Sequence, residues 1–201
     1  MAVKPYQIEA LLAEMAPEFG PDTVVISVAA GISIARLQAA VAGRCPVVRC
    51  MPNTPALVGK GVFALCFDDK VPAESKEDIL RFFSQLGVCL ELPESRFTAF
   101  SALIGAGPAY VFGMMQGLVQ AGVTLGLGRK DCRDMVAALF EGSAVMAARS
   151  DTPLMELRDQ VCSPGGLTIA GVNVLDRAGL SGLLVDAVLA ADERGREMEK
   201  E

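Results

Sequence analysis

Up to Arg96 the chain alternates short β-branched apolar runs with stretches whose apolar residues recur at helical spacing, and beyond Arg96 the helical spacing is nearly unbroken. Val24-Val25-Ile26-Ser27-Val28 reads as a buried strand, and Ser33 then caps a short helix running through Ala42. Val47 to Cys50 and Val62 to Phe67 read as further strands. A helix with proline at its start is expected from about Pro72 to Leu86, followed by a last strand from Val88 to Leu92. Strand and helix in alternation build a parallel sheet with helices packed on it, the doubly wound architecture that binds nucleotides at the carboxyl ends of its strands.

That sheet lacks its usual opening. Such a domain begins with a strand, a G-x-G-x-x-G turn and a helix whose free amides hold a pyrophosphate, and nothing of the kind precedes Lys4. Gly105-Ala106-Gly107 is followed at once by Pro108, carries Tyr110 where the third glycine belongs and has no strand leading in, so it reads as a close helix contact. Gly126-Leu127-Gly128 reads as a turn between helices. The expected fold is therefore an incomplete doubly wound, Rossmann-like α/β domain over residues 1–95, the later part of a dinucleotide-binding domain. An all-helical domain over residues 96–201 follows.

Helices are expected there at about Pro108 to Leu125, Asp131 to Arg149, Leu154 to Asp159, Pro164 to Ala178 and Leu180 to Glu197. The first is apolar nearly all round between Ala109 and Val119, which suits a helix buried on every side. A small helical domain has too little interior to bury it alone, so a partner subunit is expected.

Composition narrows the function. Hydrophobic residues are 52% and charged residues 21%, too apolar for a disordered chain. No run approaches the roughly 18 uninterrupted apolar residues of a membrane span, no secretory signal is legible at the start, and a soluble, cytoplasmic protein with no membrane partner is expected. A net charge of -6 without a Lys/Arg cluster argues against nucleic acid as a partner. The six cysteines form no CxxC pair and histidine is absent, so no metal site is expected and the thiols read as reduced and mostly buried. Without histidine, Ser-His-Asp and Cys-His catalysis are excluded.

The segment Arg158-Asp159-Gln160-Val161-Cys162-Ser163-Pro164-Gly165-Gly166-Leu167-Thr168 carries the most chemistry. A hydroxyl residue, a proline and two glycines open a helix whose free amides, backed by the dipole, suit a small carboxylate, and Thr168 follows one turn inside. Read alone, Ser163-Pro164 is no more than an N-cap followed by proline at the first helical position, and taken by itself that is the favoured reading.

In combination with three other segments it resembles the pyrroline-5-carboxylate reductase family, from Ala2 to about Arg196. Ala2-Val3-Lys4-Pro5 is similar to the end of the family's fourth strand, and Arg49-Cys50-Met51-Pro52-Asn53-Thr54-Pro55 resembles its R-x-M-P-N-T-P loop. Gly105-Ala106-Gly107-Pro108-Ala109-Tyr110 resembles its G-S-G-P-A-Y start of the helical domain, and Leu157 through Ile169 its substrate loop. The resemblance implies hydride transfer from NADPH or NADH to the C=N carbon of 1-pyrroline-5-carboxylate, giving L-proline. It implies cofactor binding by Ala2, Val3, Lys4, Pro5, Met51, Pro52, Asn53 and Thr54. The substrate would be bound by Ser163, Pro164, Gly165, Gly166 and Thr168, with Thr168 catalytic through a hydrogen bond to the ring nitrogen. It also implies a homo-oligomer, a dimer or decamer, paired through the C-terminal helices, and an Asp151–Lys4 ion pair near the active site.

Ile104 and Ala106 stand where the family usually carries serines, so a polar contact near the domain junction is expected to be lost. Without the glycine-rich turn, cofactor affinity is expected to collapse. Three readings follow: a reductase whose true start lies upstream of Met1, an inactive dimerisation module, or another imine or β-hydroxyacid reductase, which the Ser163–Thr168 loop does not suit.

Overall fold

The structure is a computed structural model that describes residues 5–20 and 22–198. Ala2, Val3 and Lys4 lie outside the described residues, and Pro5 is the first residue of a helix. The chain divides into two compact units, one of residues 1–108 with 188–201, the other of residues 109–187.

The first unit runs α1 (Pro5–Met15), β1 (Val25–Ser27), α2 (Ile34–Ala40), β2 (Val47–Met51), β3 (Gly61–Phe67), α3 (Ala73–Ser84), β4 (Gly87–Glu91) and the short α4 (Phe97–Phe100). The strands form one sheet in the order β1-β2-β3-β4. The period-2 alternation of β2 and β3 divides their side chains between two layers. Val47 faces a cluster with Ile8, Leu12, Leu37 and Val41, while Val48, Cys50, Phe63 and Leu65 pack with Phe83. Helices thus cover both faces, as the doubly wound reading requires, and β2 is buried nearly throughout. Ser33 caps α2 as expected, its hydroxyl accepting from the Arg36 N–H at 3.2 Å.

The sheet is mixed, not parallel throughout. β1 and β2 are parallel, β3 and β4 are parallel, but β2 and β3 run antiparallel, pairing Val48 with Phe67 and Met51 with Ala64. The cause is the connection. A parallel crossover takes a dozen or more residues, usually a helix, and the link from Met51 to Gly61 holds only a 3-10 turn at Thr54–Val58. Where β3 and β4 start side by side, Gly87 has φ +148, and a Cβ there would run into the Gly61 carbonyl.

From Glu94 to Thr124 the chain is a nearly continuous helical stretch, long and apolar enough, by length and composition only, to cross a membrane. It passes from α4 through a π turn at Ser101–Gly105 into α5 (Gly107–Thr124). The second unit continues with α6 (Arg129–Ala148), α7 (Leu154–Gln160), α8 (Leu167–Arg177) and the first part of α9 (Leu180–Met198). Its core is small. Val119, Cys132 and Val136 are buried, with Met115, Val123 and Phe140 packed around them, and α7, α8 and α9 bury no residue. The all-round burial expected for α5 is not met within one chain: Phe112 stays 63% exposed, as do Leu139 of α6 at 56% and Met146 at 63%.

Candidate functional site

The parallel pairing of β1 with β2, Ser27 opposite Arg49, brings the loops that follow both strands to one carboxyl edge. The first loop is Val28-Ala29-Ala30-Gly31-Ile32, with a buried Ser27 hydroxyl accepting from the Ala29 N–H at 3.3 Å. The second is the Met51–Thr54 loop. Met51 packs beside Ala64, Phe97 and Phe100. Asn53 is fixed at both ends of its side chain: Oδ1 accepts from the Val62 N–H at 2.9 Å and Nδ2 donates to the Ile104 carbonyl at 3.3 Å. Thr54 and Pro55 start the 3-10 turn, which ends on Gly59.

Arg49 of the same motif is buried, and its guanidinium donates to Glu94 Oε1 at 3.0 Å while lying 4.6 Å from the centre of the Phe97 ring. The same Glu94 oxygen accepts from the Ile34 N–H at 2.7 Å, at the start of α2. A carboxylate is stabilised there by free amides and by the helix dipole. Glu94 therefore joins β2, α2 and the segment leading into α4. A cleft of about 410 Å³ opens beside the loop after β1, lined by Gly31, Ser33, Arg36, Arg49, Glu94 and Ser95.

Neither Glu94 nor the Val28–Ile32 loop was singled out from the sequence. Small residues directly after a strand were the available signal for the loop. For Glu94 there was none, since its partners lie 45 and 60 residues away.

In the second unit the Ser163–Gly166 segment is a turn, not the start of the helix. The Gly166 N–H donates to the Ser163 carbonyl at 3.0 Å, and Gly165 has φ +68. Proline second and a positive-φ glycine third make a type II turn. A Cβ at Gly166 would displace the Ser163 hydroxyl and press on the Ser163 carbonyl. The expected helix from Pro164 is thus corrected: α8 begins at Leu167, with Gly166 as an N-cap that offers no side chain to its amides. Thr168 is the second residue of α8 rather than one turn inside, and it is exposed. On the preceding α7, Arg158 pairs with Asp159 at 3.1 Å and reaches forward to Asp176 of α8 at 3.3 Å, tying the two helices that flank the turn.

The cysteines are free; Cys45, Cys50 and Cys132 are buried. Burial, and after it the nearby Cys89, pushes the Cys50 thiol up to about 12, and burial also raises Cys45, Cys66 and Cys89. Thiols held protonated in this way are not nucleophiles at neutral pH.

A sheet covered by helices on both faces, with a parallel pair presenting its carboxyl-edge loops, and then apolar helices with little core of their own, define the class: a Rossmann-like α/β domain carrying a helical dimerisation domain. Comparison with known proteins makes the class specific. The family model described as pyrroline-5-carboxylate reductase dimerisation matches residues 94–198. A pyrroline-5-carboxylate reductase of Corynebacterium melassecola is 38% identical over 203 residues, covering 100% of this chain and 75% of that protein. The pyrroline carboxylate reductase of Plasmodium falciparum, solved with NADP bound, superposes with a TM-score of 0.91 at 33% identity, over 98% of this chain and 79% of that one. A reductase structure from Coxiella burnetii gives 0.90 at 31%, over 98% and 74%. The chain belongs to the pyrroline-5-carboxylate reductase family.

Proposed function

We propose that the protein is an NAD(P)H-dependent pyrroline-5-carboxylate reductase that forms L-proline from 1-pyrroline-5-carboxylate and works as a homodimer or an assembly of dimers. The observation that carries this reading is the Ser163–Gly166 turn leading into the uncapped start of α8, in a chain that aligns along its whole length with a curated reductase. Free amides at a helix start hold a carboxylate without a cationic side chain. The first-turn amides of Leu167 and Thr168 have no intrahelical partner. The turn Ser163, Pro164, Gly165 and Gly166, whose Gly166 N–H is taken by the Ser163 carbonyl, shapes the approach to them, and Thr168 holds the ring nitrogen by a hydrogen bond.

The residues of the first unit fit the nicotinamide end of a dinucleotide. Ala29, Ala30 and Gly31 leave room at the carboxyl edge beside the Met51–Thr54 loop. NAD(P)H, when bound, supplies the hydride that adds to the C=N carbon. With the ring nitrogen protonated and held by Thr168, that carbon is electrophilic, and anchoring the carboxylate fixes which ring face it presents. The chain has no histidine, so a hydroxyl and water handle the proton.

A glycine-rich pyrophosphate turn is not among these 201 residues. A second reading is a dimerisation module without catalysis. NADPH consumption with proline formation separates the two. The reductase is expected to consume NADPH with 1-pyrroline-5-carboxylate, and Thr168→Ala to lower turnover about a hundredfold with unchanged melting. A folded, paired wild-type protein that consumes none leaves the module reading. Unchanged kinetics in Thr168→Ala would remove Thr168 from the mechanism.

A further inference from the structure

Asn53 is engaged by backbone at both ends of its amide, and one of those bonds has its origin in a distant proline. In a continuous α-helix the Ile104 carbonyl would accept the N–H of residue 108, but residue 108 is Pro108 and has none. The helix there is a π turn, closed by the Ala106 N–H on the Ser101 carbonyl at 2.9 Å, a local widening common at functional positions. The Ile104 carbonyl is met by Asn53 Nδ2 at 3.3 Å. The other end of the amide, Oδ1, takes the Val62 N–H at 2.9 Å, at the start of β3. One side chain therefore joins the loop after β2, the first residues of β3 and the π turn. Met51 adds to the junction from the same loop, its Cε lying 3.2 Å from where a Cβ on Gly105 would stand.

We propose that Asn53 is a positioning residue: it clamps the Met51–Thr54 loop to the π turn and to β3, and so sets the backbone that receives the nicotinamide end of the cofactor without itself touching the cofactor. This deepens the reductase reading and rests on it for the identity of the ligand. It assigns Asn53 a role different from the direct cofactor contact that the motif alone implies. It also gives Pro108 a role, because the proline leaves the Ile104 carbonyl open to Asn53.

The test uses the full chain carrying Asn53→Ala, Asn53→Asp, Pro108→Ala, and each Asn53 variant combined with Pro108→Ala. Amide exchange and melting are read without cofactor, and NADPH affinity by fluorescence. Asn53→Ala is expected to speed exchange at the Val62 amide roughly tenfold, the loss of one hydrogen bond. Asn53→Asp, which keeps the acceptor for Val62 and lacks the donor for Ile104, keeps that protection. In the Pro108→Ala background a new N–H is available to Ile104, so both Asn53 substitutions lower the melting temperature less than they do alone. NADPH affinity is expected to fall about tenfold in Asn53→Ala and to recover in part when Pro108→Ala is added.

Unchanged Val62 exchange together with strict additivity of positions 53 and 108 would overturn the clamp. Loss of NADPH affinity in Asn53→Ala with unchanged melting and no recovery in the double variant would make Asn53 a direct ligand and overturn the proposal. A wild-type chain that binds no NADPH yet shows the exchange and coupling results defeats the reductase reading while the clamp stands.

Discussion

Cys50 shows how strongly the sheet seals individual side chains. It is 1% exposed, and its thiol is pushed from an ordinary value of 9.0 up to about 12, chiefly by burial. A folded-state pKa above the unfolded one contributes stability that is fully present below about 9, and that stability is lost as pH rises toward about 12. Cys45, Cys66 and Cys89 are shifted in the same direction. Stability is therefore expected to decline above pH ~9. Native protein treated with iodoacetamide near pH ~8 should leave Cys50 unmodified by peptide mass mapping, whereas unfolded protein should be labelled there. Equal labelling in both states would show that the β2 layer opens. At the same scale the type II turn at Gly165 was not legible, because Ser163-Pro164 suits a turn and an N-cap alike and its pattern points to a helix from Pro164; the Gly166–Ser163 hydrogen bond decides for the turn.

Among the elements, the alternation of β1, α2, β2, β3, α3 and β4 was legible because β-branched runs and a capping serine are local signals. The direction of β3 depends on the length of the link from Met51 to Gly61, which pattern alone did not weigh. Helix α1 was missed, since no helix was read between Pro5 and the first strand. The Arg49–Glu94 pair, which holds β2, α2 and the segment before α4 together, is long-range and invisible to periodicity. Glu94→Gln keeps an acceptor for the Ile34 N–H but leaves the buried Arg49 without its carboxylate. Breaking a wholly buried pair costs about 3–5 kcal/mol, and the partly open Glu94 side chain, 34% exposed, reduces this to about 2 kcal/mol. A fall of about 4–8 °C in melting temperature is expected in a calorimetric scan. No change would mean that solvent already screens the pair.

At the scale of the whole molecule the two units differ in what they can bury. The first has a sheet with packed layers on both faces. The second has Val119, Cys132 and Val136, and three helices with nothing buried. Each exposed Leu, Met or Phe gains about 1.5–3 kcal/mol when moved into a packed interface. Phe112, Leu139, Met146 and Leu183 leave that gain unrealised within one chain. The family model matching residues 94–198 is a dimerisation model, and a second copy of the same helices is the surface that suits them.

The reductase reading and the module reading both require that second copy, so the pairing is the claim on which the rest depends. Sedimentation equilibrium of the purified chain at micromolar concentration tests it directly. The expected result is a folded particle of twice the 21.1 kDa chain mass, or a multiple of that. A stable, fully helical species at 21.1 kDa would contradict it.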